Sequence, residues 1–524
     1  KLGLVDVLAV GDVLEESIAA ARRLAVAGGE LRRSSQRRDR LGEGTAFLEA
    51  VAAHRRVAAQ SPLEAPMRMI ECVEAALLLP YDIGRGLEQS AYEDLVQSDH
   101  SRSLRHIFAA ERRLQAATRW EGRVMSRPLK SVAILGAQGT GAEMAVLCLD
   151  AGFDVIVAED SDQALEAGVA RIIEHFDARV ANGKMADGDV ERILDRLQAV
   201  SGFATLSEAD IVLDPNPATT RERLAEIDTA MRTGSVLALS TEGADIGTLA
   251  GMTNRAPDVL GLRFAPGLRR NRLVEFSAPK SADAKPVATA RALMRKLDRL
   301  ILDTETTVEG LGTRLMEALH AAADLCLEDG ARVSQIDAAL RDWGIPYGSF
   351  SYRDIIGVAR TSAPKGLGGL RGSGLDEGLA AAGRLGLATG QGYYVYQERG
   401  KPGVENPEIA AMVEADRTAK GIRPRVLDDG EIRKRCLAAM AGAGAQILAE
   451  DAVKRPADID MVAVHALGFA RRTGGIMFAA DLLGLEEVRK LLLQMSQASS
   501  RIPAPPAMIQ ALIKSEHGFD DLNS

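Results

Sequence analysis

Several things are scarce in this chain, and each scarcity excludes something. There are four cysteines in 524 residues, Cys72, Cys148, Cys326 and Cys436, and they lie far apart. They offer no metal-ligand spacing and no disulfide framework, so no metal site is expected and a reducing, cytoplasmic setting fits. No apolar run reaches about 18 residues without a charge, so no segment reads as a membrane span. Basic residues are outnumbered: 64 Lys and Arg against 73 Asp and Glu leave a net charge of −9. That argues against a general nucleic-acid or anionic-membrane binder, with local basic patches left open. The first residues, KLGLVDVLAVGD, carry Asp6 and Asp12 where a secretory peptide needs an unbroken apolar stretch. The chain opens on Lys1 inside what reads as a packed element, as a fragment would. What is present is ordinary core-forming material, 46% hydrophobic and 26% charged. At about 150 residues per domain, the length suggests three to four domains.

Residues 12–27 place apolar side chains at helical spacing behind Asp12 as a candidate cap, and 29–46, rich in Gly, Arg and Ser, read as a loop. From about 62 to 119 the pattern is helical, with breaks expected near Pro80 and Gly84. Pro128 in SRPLK marks a boundary, after which the period changes. SVAILG (131–136) reads as a buried strand, AEMAVLCLDAG (142–152) as a helix closed by glycine, and DVIVAED (154–160) as a second strand. Further strands are expected at IVLD (211–214) and SVLALS (235–240). Strand, glycine turn, helix and strand make a βαβ unit, which predicts a mostly parallel, doubly wound α/β sheet over 129–305. The remainder reads as helical and contains a weak repeat: QIDAALRDWGIPYG…RDIIG (335–357) is similar to DIDMVAVHALGFARRTGG…ADLLG (458–484). Asp337 matches Asp460, and both copies close on Asp-x-x-Gly, Asp354 to Gly357 and Asp481 to Gly484.

GAQGTGAEMA (136–145) follows a strand and opens a helix, the context of a dinucleotide fingerprint. Gly136 and Gly141 take the first and third glycine places; the second holds Gln138, with Gly139 beside it. Glu159, 23 residues after Gly136, is placed to bond a ribose diol and to repel a 2′-phosphate. This favours NAD over NADP. A Rossmann-type fold that no longer holds a nucleotide is the other reading.

The order of these segments resembles the multifunctional β-oxidation enzymes, in which an enoyl-CoA hydratase/isomerase (crotonase) domain is fused to a (S)-3-hydroxyacyl-CoA dehydrogenase. GLVDVLAVGDVLEESIAAARRLA (3–25) is similar to the end of the crotonase domain, and GLEQSAYEDLVQSDHSRSLRHIFAAER (86–112) to the linker helices. Residues 131–276 resemble the NAD domain. GRLGLATGQGYYVY (383–396) and GFARRTGGIMFAADLLGL (468–485) resemble the two C-terminal domains, closer to the peroxisomal type-1 fusions than to stand-alone dehydrogenases. The resemblance implies five parts: a crotonase remnant (1–60), a helical linker (61–128), the Rossmann NAD-type domain (129–305), and two related all-α dehydrogenase domains (306–400 and 401–524). It implies NAD as cofactor and acyl-CoA as substrate; a thiolase partner and self-association both stay open.

Carried over residue by residue, the catalytic set has changed. The family's histidine in a Gly-Leu-His-Phe-Phe segment, with its glutamate twelve residues on, corresponds to GLRFAPGLRRNRLVE (261–275). Glu275 is present, but Arg263 holds the histidine position, and a guanidinium is no general base near neutrality. The substrate-contacting serine aligns with Glu242, the asparagine that completes the site with Thr313, and the Glu-Ala-Val segment after the fourth strand with LDPNP (213–217). Two readings of the charges stand. Arg263 and Glu275 form a structural ion pair between strands; or the cluster Arg263, Arg269, Arg270 and Arg272 binds coenzyme A phosphates. Function divides three ways: an NAD-dependent 3-hydroxyacyl-CoA dehydrogenase, weak or lost in turnover; a silent fold serving as an acyl-CoA- or nucleotide-binding scaffold for a hydratase/isomerase; or a purely structural assembly module.

Overall fold

The computed structural model describes all residues except 1–7, 9–10, 29–34, 36–43, 120–123, 217–219, 241–243, 266, 306–308, 360–373, 399–400 and 524. The chain divides into two compact units, residues 1–98 and 99–524.

The smaller unit holds helices α1 (Val13–Ala27), α2 (Gly44–Ala58), α3 (Ala65–Leu78) and α4 (Tyr81–Gln97). Asp12 caps α1 as expected, accepting from the N–H groups of Leu14 and Glu15. Pro80 separates α3 from α4, because its ring cannot continue the preceding helix. Gly84 lies inside α4, and the next break falls at Ser98 instead. One helical glycine costs only about 1 kcal/mol, too little to end a helix whose flanks propagate it.

In the larger unit, α5 (Asp99–Arg119) leads into an eight-stranded sheet in the order β3-β2-β1-β4-β5-β6-β7-β8. The strands are β1 (Ser131–Leu135), β2 (Asp154–Glu159), β3 (Leu197–Ser201), β4 (Ile211–Asp214), β5 (Val236–Leu239), β6 (Val259–Phe264), β7 (Leu273–Ser277) and β8 (Leu300–Asp303). All neighbours are parallel except β6 and β7. The expected doubly wound sheet is therefore present, with the switch point between β1 and β4. Period-two alternation sends β1 side chains to two separate cores. Val132 and Ile134 join one face with α6 (Thr140–Asp150) and α7 (Asp162–Ala181); Ala133 and Leu135 join the other with α9 (Arg221–Ala230). Helices α8 (Asp187–Leu194), α10 (Ile246–Ala250) and α11 (Ala284–Lys296) lie between these strands along the chain. A strand buried on both sides has to be apolar throughout, which is why SVAILG reads as a continuous run.

Beyond β8 the described chain is helical apart from a short ladder of Tyr394–Val395 with Val404–Glu405. Helices α12 (Leu311–Asp329) and α13 (Val333–Trp343), which precede and open the first repeat copy, share one continuous apolar core with Asp429–Ala449 and Leu485–Ala498, which flank the second. Helix α5 inserts Ile107, Ala110 and Leu114 into that same core.

Candidate functional site

The dinucleotide turn forms where β1 hands over to α6. Gly136 and Gly139 both have positive φ, +98° and +53°, a region that L side chains rarely adopt. A side chain at Gly141 would overlap the Gly136 carbonyl oxygen, so the third glycine place is required by the contact of helix and strand. Gln138, in the second place, is exposed. Glu159 at the end of β2 accepts the Ala137 N–H at 2.7 Å, which holds the carboxylate against the turn. Positive-φ glycines, a helix N-terminus with its partial positive charge, and a carboxylate at the second strand are the parts an NAD pyrophosphate and ribose need. The residues present fit that group.

The second constellation lies at the antiparallel pair β6/β7, where Arg263 stands directly opposite Glu275. Arg263 Nη1 donates to Glu275 Oε2 at 3.0 Å, with only 17% and 10% of the two side chains exposed. The same carboxylate oxygen lies 3.4 Å from the Leu311 N–H, the first residue of α12. A carboxylate at a helix N-terminus is favourable, and the guanidinium compensates its charge. Gly310, the residue before α12, lets Arg263 lie close: a Cβ there would sit 3.0 Å from Arg263 Cδ and 3.6 Å from Thr313 Oγ1. Arg263, Glu275 and Thr313 are thus brought together at one helix end. The cavity bordered by Arg263, Glu275, Ser277 and Thr304 has a volume of about 10 Å³, the lower limit for a single water molecule.

The remaining candidates separate. Glu242 lies outside the described residues. Arg272 is engaged with Asp298, through its carboxylate at 2.5 Å and its backbone carbonyl. Arg269 and Arg270 are exposed on the turn that joins β6 to β7. Burial, and then the charges of Arg269 and Arg179, lower the pKa of His175. His465 is satisfied by Glu111 at 2.8 Å, and Tyr393 and Tyr394 are buried with their hydroxyls on Asp376 and Asp337. Sequence reasoning missed three participants: the Leu311 N–H, Glu143, which accepts the Leu268 N–H at 2.8 Å, and Asp214, which accepts from Asn216. Only Glu143 left a signal, as an acid in the first turn of the helix that opens the glycine turn.

Residues 131–306 match the family described as 3-hydroxyacyl-CoA dehydrogenase, NAD binding domain, and residues 311–396 match the corresponding C-terminal domain. The chain is similar to the peroxisomal bifunctional enzyme of Danio rerio, 28% identical over 86% of this chain and 66% of that one. It is similar also to that of Cavia porcellus, 26% identical over 96% and 73%. It therefore spans about two thirds to three quarters of the length of these relatives. Among solved structures, 3-hydroxybutyryl-CoA dehydrogenase from Escherichia coli K12 superposes with a TM-score of 0.62 at 20% identity, covering 74% of this chain and all of that one. The dehydrogenase part of multifunctional enzyme 1 from C. elegans does so with 0.51 at 18%, covering 74% and 93%. No helix among the described residues is long and apolar enough to cross a membrane. The chain belongs to the 3-hydroxyacyl-CoA dehydrogenase family, and it resembles the dehydrogenase part of the fatty-acid β-oxidation multifunctional enzymes.

Proposed function

We propose that this chain binds NAD and an acyl-CoA in a dehydrogenase fold whose proton-abstracting site has become an ion pair, so that turnover is weak or lost. One observation carries the reading: Arg263 bonds Glu275 at 3.0 Å at the mouth of α12, in the position where the family resemblance puts the histidine. A guanidinium is permanently protonated and has no acceptor to offer an alcohol. Glu275, already receiving Arg263 and the Leu311 N–H, is held as a structural counter-ion. Thr313 beside them supplies a hydroxyl in place of an amide.

Gly136, Gln138, Gly139, Gly141 and Glu159 would hold the cofactor, and NAD when bound would supply the hydride acceptor. Arg269 and Arg270, exposed at the β6–β7 turn, suit coenzyme A phosphates, whereas Arg272 is occupied by Asp298. The working role is then that of an acyl-CoA-binding scaffold beside an enoyl-CoA hydratase/isomerase. In this reading residues 1–60 correspond to the end of a crotonase domain, 61–128 to the linker, 129–305 to the NAD-type domain, and 306–400 and 401–524 to the two dehydrogenase domains. The four free cysteines agree with a reducing, cytoplasmic setting.

The test is oxidation of NADH with acetoacetyl-CoA. The expected rate is at least ~10³-fold below that of a family member with histidine, the usual span of a general-base contribution. A normal rate would overturn the proposal. Arg263→His alone is expected to restore nothing, because Gln138, Glu242 and Thr313 remain. Calorimetry with NAD and with coenzyme A then separates a binding scaffold from an inert one.

A further inference from the structure

Glu159 has a neighbour at the end of β2 that the dehydrogenase reading does not use. Asp160, the next residue, accepts from Arg223 Nη1 at 2.5 Å. Arg223 stands in the first turn of α9, where Thr220 caps the helix by accepting its backbone N–H. It therefore reaches Asp160 from the β4 side. In the sheet order β1, which carries the glycine turn, separates β2 from β4, whose last residue is Asp214. The ends of β2 and β4 are roughly 10 Å apart, twice the strand spacing, and Arg223 touches a carboxylate on each side.

The sides of that guanidinium differ. Its Nε lies 3.8 Å from the fully buried Asp214, and its plane lies over the Phe203 ring, 5.1 Å from the centroid. Phe203 follows β3, so the cation leans toward the half of the sheet that carries Glu159. The outer edge is capped by Asp160, whose side chain is 62% exposed while that of Arg223 is 19% exposed. Removing that carboxylate would thus open the outer edge to solvent. Asp160 has no duty in the next helix, because Ser161 caps α7. An ion pair to so exposed a carboxylate is worth little to folding, and the ring and the buried acid hold the guanidinium from below. At this corner a dinucleotide site makes its choice of cofactor. A carboxylate ending the second strand bonds the 2′-hydroxyl of the adenosine ribose, whereas an arginine nearby accommodates a 2′-phosphate. This chain holds both devices: Glu159, fixed on the Ala137 N–H at 2.7 Å, and Arg223, joined to the very next residue.

We infer that the Asp160–Arg223 pair sets the choice between NAD and NADP: Asp160 masks a cation placed to receive a 2′-phosphate, and so excludes NADP. A guanidinium edge already matched to a carboxylate offers a phosphate no fork, and Asp160 beside Glu159 adds a second repelling charge. The inference rests on the NAD binding proposed above and adds the residues that choose between the two dinucleotides. It is independent of whether the Arg263–Glu275 pair supports turnover.

The test is isothermal titration of the full chain with NAD and NADP, and with AMP and adenosine 2′,5′-bisphosphate as probes of the adenosine end alone. The unaltered chain is expected to prefer the ligand without a 2′-phosphate in both pairs. Asp160→Ala should raise the affinity for NADP relative to NAD about tenfold or more, the gain of one charge-assisted bond. The bisphosphate should gain likewise over AMP, and the gain should shrink as salt rises. Adding Arg223→Gln to Asp160→Ala should abolish it. Were the gain only relief of repulsion, it would persist in that double variant, and the role of Arg223 would be overturned. Arg223→Lys added to Asp160→Ala keeps the charge and should keep part of the gain, which a folding defect would not; circular dichroism checks all variants. NAD binding with an unchanged NADP-to-NAD ratio in Asp160→Ala overturns this inference and leaves the NAD reading standing. No NAD binding by the unaltered chain overturns both.

Discussion

In the first helical half Asp337 accepts the N–H groups of Phe350 and Ser351, and Asp354 those of Tyr393 and Tyr394. In the second half Asp460 accepts the N–H of Met477, and Asp481 those of Phe519 and Asp520. Each copy thus fixes the start of a helix with its first aspartate and its own C-terminal segment with the second. A side chain at Gly348 or Gly475 would collide with the first aspartate of its copy, so both positions need glycine. The interiors between these matched fixings differ. Arg353, before the second aspartate, is fully buried against Asp324 at 2.8 Å and Asp376 at 3.2 Å. Its counterpart is Ala480, and where the first copy has Ser349 the second has Ile476. Backbone geometry demands the aspartates and glycines; the filling is free to be ionic or apolar as long as it is complete.

The two fillings predict unequal fragility. Arg353→Met would leave Asp324 and Asp376 as buried carboxylates with a partner removed, and breaking a buried pair in this way costs about 3–5 kcal/mol. Urea unfolding, followed by hydrogen exchange within α12 and α13, should show the loss in the first half. Replacing Asp324, Asp376 and Arg353 together by apolar residues should be milder, since no fully buried charge of the network remains and only Arg501, which is partly exposed, loses Asp324. Equal effects of the single and triple changes would mean the network does not act as a unit.

A smaller effect probes what the halves share. Asp337→Ala orphans two backbone N–H groups and the Tyr394 hydroxyl; Asp460→Ala orphans the Met477 and Ile476 N–H groups but leaves His106 its second acceptor, Asp520. At about 1–3 kcal/mol for a buried group left unsatisfied, both should destabilise, Asp337→Ala the more. Thermal unfolding of the two variants side by side measures the order. The reverse order would show that the α5 contact through His106 outweighs the Tyr394 hydroxyl.

Much of this was legible because it is local. The unbroken apolar run at 131–135 follows from burial on both sheet faces, and the Asp-x-x-Gly endings of the repeat follow from turns that only glycine fits. The twelve-residue spacing from Arg263 to Glu275 foretold an ion pair because two paired strands and their turn lie between them. Other features depend on distant chain. β3, with Gln198 and Ala199 exposed, has no apolar pattern and exists because β2 offers it an edge. The Leu311 N–H reaches Glu275 across 36 residues. Ile107, Ala110 and Leu114 announce an amphipathic helix but not which core receives it.

The mildest test concerns the second aspartate of each copy. Burial pushes the carboxyls of Asp354 and Asp481 up to about 6, against the two backbone N–H groups that each accepts. Between the ordinary carboxyl range near 4 and about 6, the folded chain keeps a proton that the unfolded chain has released. The folded state then binds more protons, so stability falls as pH rises through this window and is fully recovered below it. Asp354→Asn and Asp481→Asn should each flatten the stability–pH curve between about pH 4 and 7, even though each amide also loses an acceptor and lowers stability at every pH. Slopes rather than absolute values are therefore the readout. Matching causes predict matching slopes: burial dominates both, with Asp337 adding repulsion to Asp354, and Asp520 and Asp460 adding it to Asp481. Asp354 alone also accepts the Tyr396 hydroxyl at 3.0 Å, which favours its charged form. A steeper loss of slope from Asp481→Asn would assign the difference to that hydroxyl, and Tyr396→Phe should then bring the two halves level.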